Sequence, residues 1–317
     1  MTTHDPSPAG YRHLFGPVPS RRFGRSLGVD LVPFKTCSLN CVFCEVGQTT
    51  RLTRTRAEYV PTGEILDELD HWVAAGGVTD FVTLAGSGEP TLHSGFGDIL
   101  DWVRANLPFR SALLSNGTLL DDPAVRAAAR KADVVKLSLS AWDETSFRRM
   151  HRPHADVRFR AFVDAYRLFR EAYTGEIWVE VFLVAGMNDA EADVRRIAAE
   201  VAGIRPDRVH LNTVVRPGAE SWAGAVPEAR LRELAALFAP YAETPATYTA
   251  PSGHSPADPL AAVEAILRRR PCSVPQLAAV LGRPDTEVAA IVDALVAGGR
   301  AVARPGPGCI FYSVFSH

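Results

Sequence analysis

The sequence predicts an α/β fold, six strand-then-helix units in succession with a smaller domain of different pattern behind them. Two observations carry that prediction. Short apolar runs alternate with apolar residues at helical spacing from Ser26 to Phe238. A segment rich in Pro, Ser, Thr and Ala, Thr244 to Pro259, then reads as a linker to a shorter, mostly helical stretch. Strands joined through helices pair in parallel by crossover connections. A partial barrel satisfies that rule, and so does a doubly wound open sheet.

The first unit is the strand Ser26 to Pro33, which runs into a loop holding Cys37, Cys41 and Cys44. Ahead of it, residues 1–10 read as a disordered N-terminus. Tyr11 to Arg25, with Pro17, Pro19, Arg21, Arg22 and Arg25, reads as a loop across one mouth of the fold. After the cysteines, Gln48 to Tyr59 carries Arg51, Arg54 and Arg56, and both arginine groups fit either a solvated surface or an anion-binding rim.

Ile65, Leu66, Leu69, Trp72 and Val73 mark a helix that Gly76-Gly77 ends. Asp80–Ala85 is a strand, and Phe96, Ile99, Leu100 and Val103 mark the next helix. Arg110–Ser115 is a strand; Asp122 then caps a helix with Pro123 at its first position, running to about Lys131. Asp133–Leu139 is a strand, followed by a long helix with Phe159, Phe162, Val163, Tyr166 and Phe169 inward. Glu176–Val184 is a strand, after which Asp189 is expected to cap a helix through Val201. Arg208–Val215 is the last strand, and Pro227 opens a helix to Phe238. Beyond the linker, helices are expected at Leu260–Arg269, Val274–Leu281 and Thr286–Ala297, with short strands at Arg300–Arg304 and Ile310–Phe315.

Composition narrows the function classes. The 317 residues suffice for one large domain, or one large and one small, and 47% apolar content with mean hydropathy +0.00 supports an ordinary core. A formal net charge of −2 supplies no global basic field for nucleic acid. Residues 1–10 lack the charged start and apolar run of a signal peptide, and no apolar run has the length of a membrane span, so a cytoplasmic protein is expected. Five cysteines are too few and odd in number for a disulfide framework.

Three of those cysteines stand at C-x3-C-x2-C spacing within Lys35-Thr-Cys-Ser-Leu-Asn-Cys-Val-Phe-Cys-Glu45. Thiolates this close on one loop can face one centre. A cubane iron–sulfur cluster usually takes four Cys ligands, so three leave one iron open. Zinc is the rival, although the second paired ligand cluster of a zinc knuckle is missing nearby.

With an aromatic just before its third cysteine, this motif resembles the signature of the radical S-adenosylmethionine (radical SAM) superfamily. Phe15-Gly-Pro-Val-Pro-Ser-Arg-Arg22, Gly28-Val-Asp-Leu-Val-Pro-Phe-Lys-Thr-Cys37 and Leu211-Asn-Thr-Val-Val-Arg-Pro217 are similar to the branch that holds stand-alone Fe–S oxidoreductases and wyosine-type tRNA synthases. The resemblance covers about residues 11–245 and favours the partial (β/α)6 TIM-like barrel. It implies a [4Fe-4S] cluster on Cys37, Cys41 and Cys44, whose fourth iron chelates S-adenosylmethionine. Reductive cleavage then gives a 5′-deoxyadenosyl radical that abstracts hydrogen from substrate. A flavodoxin- or ferredoxin-type electron donor is implied as well.

Site residues follow from the resemblance by position. Gly86-Ser-Gly-Glu89 resembles the family's "GGE" motif, which puts Gly86, Gly88 and Glu89 at the methionine amino group, with Ser87 standing where glycine is common. Ser115, Asn116 and Ser138, at strand ends, fall where the methionine carboxylate and ribose are bound. Ser140 stands where aspartate is common, and Phe43 matches the residue whose backbone meets the adenine. Asn212 and Arg216 fall at adenine and substrate contacts.

Other features are read from the residues alone. Lys136 and Glu180 lie within apolar strands and need partners if they point inward. They serve the chemistry, pair with each other, or face polar loops. Arg148, Arg149, His151, Arg152 and His154 fit either a solvated helix end or an anion clamp. Cys272 and Cys309 read as small core residues.

The C-terminal helices and hairpin resemble a winged helix. The stretch Asp285–Ala297 has no basic residue, which argues against reading DNA and against a regulator with a DNA-binding tail. Docking of a protein or RNA, or closure of the barrel mouth, suits it better. Wyosine-type synthases carry a second cluster on cysteines near the N-terminus, and none precedes Cys37 here. The substrate class therefore stays open among a small metabolite, a peptide and tRNA.

Overall fold

A computed structural model describes residues 11–20, 22–244, 258–306 and 308–314. The expectations for residues 1–10, for Arg21 and for most of the linker lie outside those residues.

Seven strands form one sheet in the order β1 (Leu14–Ser20), β2 (Gly24–Val29), β5 (Phe81–Leu84), β6 (Arg110–Ser115), β7 (Val134–Ser138), β8 (Glu176–Leu183) and β9 (Arg208–Thr213). From β2 to β9 every pairing is parallel and between strands consecutive along that sheet. Six parallel strands in sequence order are the expected partial barrel. The two-residue strands β3 (Thr36–Cys37) and β4 (Arg51–Leu52) pair beside it and brace the cysteine loop.

The helices follow from the apolar spacing. They are α1 (Thr62–Ala74), α2 (Phe96–Asn106), α3 (Pro123–Ala129), α4 (Glu144–His151), α5 (Phe159–Ala172), α6 (Glu191–Ile204) and α7 (Glu228–Ala235). Asp122 caps α3 as expected, accepting from Ala124 N at 2.8 Å with Pro123 next to it. On α5, Phe159, Phe162, Val163, Tyr166 and Phe169 are all buried, as the spacing requires.

Two expectations are corrected and one is borne out. Tyr11–Arg25 is not a loop across the mouth: Leu14–Ser20 is an edge strand, antiparallel to β2. Its prolines hid it, because proline is tolerated at a sheet edge but breaks a strand pattern; the register shifts between Phe15 and Val18, where Gly16 and Pro17 sit. The basic group 148–154 is the expected helix end: α4, opened by an Asp143/Ser146 capping box, carries Arg148, Arg149 and His151 in its last turn. Asp189 does not cap α6: its carboxylate accepts from Gly186 N at 2.8 Å, and Ala190 is the N-cap residue.

The C-terminal segment has α8 (Pro259–Leu267), α9 (Val274–Leu281), α10 (Asp285–Ala297) and an antiparallel ribbon of β10 (Val302–Gly306) and β11 (Cys309–Ser313). This is the expected element order. Val263, Ile266, Leu277, Leu281, Val288, Val292 and Leu295 form its core, which Val18 of β1 joins. Cys272 is buried there, whereas Cys309 is exposed on the ribbon and is not a core residue. No helix among the described residues is long and apolar enough to cross a membrane.

Candidate active site

The C-terminal ends of β2, β5, β6, β7, β8 and β9 carry the predicted site residues, which is where a parallel barrel places its chemistry. Cys37, Cys41 and Cys44 are free thiols. Each sulfur has a side-chain nitrogen beside it. Asn116 Nδ2 donates to Cys37 Sγ at 3.4 Å, His151 Nδ1 lies 3.2 Å from Cys41 Sγ, and Lys35 Nζ donates to Cys44 Sγ at 3.1 Å.

Burial pushes the Cys37 thiol up to about 11, with Lys35 opposing. Burial, then the charges of Cys44 and Cys37, pushes Cys41 well above the usual thiol range. Burial works against the Lys35 ammonium, yet Cys44 and Cys37 hold its pKa above the ordinary value. Three crowded thiols of this kind are stable as thiolates when a cationic centre joins them. Among the described residues, no three His, Cys, Asp or Glu side chains are grouped around one metal-ion position. Three free thiols on one loop are the donor set that a cubane cluster with one open iron takes.

Glu89 is the hub beside the thiols. Its Oε1 accepts from Thr91 N, Thr91 Oγ1 and Ser115 Oγ at 3.0, 2.6 and 2.7 Å, and its Oε2 accepts from Asn116 N at 2.7 Å. Burial raises its pKa against these four bonds. One side of Oε2 is left for a further donor. Gly88 owes its identity to the chain itself: a Cβ there would stand 1.9 Å from Thr36 O. Glu89 N donates to that same carbonyl at 3.1 Å, and Lys35 N donates to Ser87 O at 2.7 Å, so the Gly86–Glu89 loop and the cysteine loop are laced backbone to backbone. Tyr166 of α5 donates to Asn116 O and Ser138 O at 2.6 and 2.9 Å, pinning the ends of β6 and β7. A Cβ on Gly117 would meet that ring at 2.1 Å.

Phe43 stacks on Phe182 at 4.3 Å and 9°. Ser140 is fully buried and its Oγ accepts from Phe182 N at 2.8 Å, which ties the segment after β7 to β8.

Below this ring lies a charged layer. Lys136 Nζ and Arg22 Nη1 both stand 2.8 Å from Glu180 Oε1, and Asn212 Nδ2 donates to the same oxygen at 3.4 Å. Burial alone would raise the Glu180 pKa; Lys136 and Arg22 hold it down to about 2. Lys136 is lowered, first by burial and then by Arg22, which competes for the same carboxylate. Arg216 pairs with Glu45 at 2.7 Å.

The other arginines have partners. Arg25 binds Asp80, Arg54 binds Asp121, Arg148 binds Glu144, Arg149 donates to Met187 O and Arg152 binds Glu220. An anion clamp at 148–154 is therefore not built. Sequence reasoning missed Lys35, Glu45 and Tyr166 beside these groups and named His151 only within the basic group 148–154. Lys35 and Glu45 bracket the cysteines, which is a usable signal; the contacts of His151 and Tyr166 come from α4 and α5, far along the chain.

Comparison with known proteins agrees with this geometry. The family model described as the radical SAM superfamily matches residues 31–198. The chain is 29% identical over 307 residues to a protein of Brachyspira hyodysenteriae named GTPase Obg, covering 96% of this chain and 45% of that one. It is 35% identical over 213 residues to a UPF0026 protein of Helicobacter pylori, covering 64% of this chain and 67% of that one. The chain thus spans from under half to about two thirds of the length of these relatives. Among solved structures, SuiB of Streptococcus suis bound to S-adenosylmethionine shares the fold at TM-score 0.52 and 16% identity, covering 69% of this chain and 50% of that one.

Proposed function

The chain belongs to the radical SAM superfamily, and from that premise we propose that it is an enzyme holding a [4Fe-4S] cluster on Cys37, Cys41 and Cys44, with S-adenosylmethionine on the open iron. The observation that carries this reading is the arrangement of three free thiols, each with a nitrogen at 3.1–3.4 Å, beside a buried carboxylate with acceptor capacity to spare. Bound together, these groups supply one-electron cleavage of a sulfonium carbon–sulfur bond. The residues of the chain do the rest.

Glu89, with its remaining lone pair, accepts from the methionine amino group. Gly86 and Gly88 keep the loop tight against the cysteines. Ser115 and Asn116 fix the Glu89 carboxylate, and Asn116 also donates to Cys37. Ser138 faces the ribose, and Phe43, backed by Phe182, borders the adenine. Lys136, Glu180, Arg22, Asn212 and Arg216 form the layer that orients the substrate's polar groups in the lumen and, together with the stacked rings of Phe23 and Trp178, excludes water. A flavodoxin- or ferredoxin-type protein serves as donor, and the C-terminal segment docks a protein or RNA. The name GTPase belongs to the Brachyspira protein; none of the three lysines here follows a glycine, so this chain has no phosphate-binding P-loop.

The test is anaerobic reconstitution followed by iron and sulfide analysis, then reduction with S-adenosylmethionine and mass spectrometry for 5′-deoxyadenosine. About four irons per chain and cleavage are expected, with a peptide, RNA or metabolite fraction raising the yield. Zinc in place of iron, or an iron-loaded protein that leaves S-adenosylmethionine intact under reduction, overturns the reading.

A further inference from the structure

We infer that Asp30 and Arg269 are positioning residues through which the C-terminal segment shapes the Gly86–Glu89 loop and so sets its affinity for S-adenosylmethionine. The inference rests on the proposed function for its ligand, but its geometry stands in the chain alone. Asp30 lies at the end of β2, under the loop. Its carboxylate fills the space that a Cβ on Gly86 would take, 2.5 Å away, and Gly86 has φ +155. Its Oδ1 accepts from Ser87 N at 2.9 Å and its Oδ2 accepts from Ser87 Oγ at 2.5 Å. Ser87, the residue that departs from the family's glycine, is the one Asp30 grips.

The cation facing this buried carboxylate comes from the far end of the chain. Arg269, just past α8, sets its Nε 3.4 Å from Asp30 Oδ2, with both side chains 9% exposed. That atom is at ion-pair distance and makes no hydrogen bond, so charge rather than a fixed bond links the two. The guanidinium is held from several sides: Nη1 donates to Ala265 O at 3.1 Å, Nη2 donates to Arg12 O at 2.6 Å, and the group lies 4.9 Å over the Phe15 ring. Phe15 in turn sits where Gly28 has no side chain.

A buried carboxylate that loses its cation becomes costly and is neutralised or turned away. Either response weakens its hold on Ser87. Ser87 O accepts from Lys35 N, and Glu89 N binds Thr36 O, so a shift there reaches the cysteine loop and the Glu89 carboxylate together. Docking of the C-terminal segment is thereby part of the cofactor site.

The experiment compares wild type with Arg269→Met, Arg269→Lys and Ser87→Ala. It reads S-adenosylmethionine dissociation constants on reconstituted protein, thermal midpoints, and hydrogen exchange at the Ser87 and Glu89 amides without cofactor. For Arg269→Met we expect a dissociation constant raised roughly fivefold or more, with faster exchange at Ser87, and recovery of much of both in Arg269→Lys. Ser87→Ala is expected to weaken binding likewise and to add little when combined with Arg269→Met.

A lower thermal midpoint with affinity and exchange within about twofold of wild type overturns the inference, since it makes Arg269 structural only. If Arg269→Met does not fold, Ser87→Ala with unchanged affinity and exchange overturns it. If wild type binds no S-adenosylmethionine, the proposed function fails, and the exchange measurement still decides the link.

Discussion

The two ends of the barrel lumen are made of opposite materials. At the N-terminal ends of the strands, Phe23 stacks on Trp178 at 4.8 Å and meets Phe81 edge-on at 5.0 Å, with Ala112 and Val134 packed around them. At the C-terminal ends, thiols, Glu89, Ser115 and Asn116 are joined by hydrogen bonds whose purpose is to hold loops in place. One end excludes water by burial; the other keeps polar groups aimed inward. The fold separates stability from chemistry along a single axis, and that separation can be broken experimentally.

The largest effect is expected from the cysteines. Replacing Cys37, Cys41 or Cys44 with alanine should abolish iron retention and reductive cleavage while leaving urea unfolding of the metal-free protein close to wild type. Trp178→Ala should do the reverse, losing about 3–5 kcal/mol of stability while the folded fraction still takes up iron. Iron content measured against the unfolding midpoint separates the two. A folded Trp178→Ala protein that binds no iron would show that the ends are not independent.

Between the ends, the Glu180 layer sharpens the comparison. Glu180→Gln strands the Lys136 and Arg22 cations in the lumen, and breaking a buried charge group this way costs about 3–5 kcal/mol. Lys136→Met leaves Glu180 with Arg22, so the loss should be about 1.5–3 kcal/mol. Denaturant melts of the two variants check the order. Equal losses would mean that Arg22 does not share the carboxylate in solution.

How much of this was legible in the sequence follows the same division. The six parallel strands and their helices were readable because apolar periodicity is a local signal, and Cys37, Cys41, Cys44 and Glu89 were readable because their motifs are short. The edge strand Leu14–Ser20 was not, since its prolines remove the strand pattern and its place is set by pairing with β2. Contacts across the chain left no local trace: His151 at Cys41, Tyr166 under Asn116, Arg22 on Glu180 and Arg269 on Asp30.

The middle layer should also make stability depend on pH. Burial, then Arg22 and Lys136, pushes His210 from 6.5 down to about 3. The unfolded chain therefore binds a proton near pH 6.5 that the folded chain refuses until about pH 3. Stability is unaffected by this group above pH 6.5 and falls as pH drops through the window below it, by about 2 kcal/mol between pH 6.5 and 5. His210→Gln should flatten that slope. Urea midpoints at pH 7 and 5 test it, and an unchanged slope in the variant would assign the acid sensitivity to other groups.

The smallest expected effect compares like with like. Each end of the lumen contains one stacked aromatic pair: Phe23 on Trp178 below, and Phe43 on Phe182 above at 4.3 Å. Phe23 is 4% exposed and meets a second ring, whereas Phe43 is half-buried beside the cysteines and meets the His151 ring edge-on at 5.5 Å. Replacing a ring by leucine keeps most of the apolar area and removes the ring-specific attraction, worth about 0.5–1.5 kcal/mol. Phe43→Leu should therefore fall at the low end of that range and Phe23→Leu at or above the high end. If Phe43 also borders the adenine, its variant should weaken S-adenosylmethionine binding more than it weakens the fold, while Phe23→Leu should weaken the fold alone. Equal effects of both variants on both measurements would erase the distinction between the two ends.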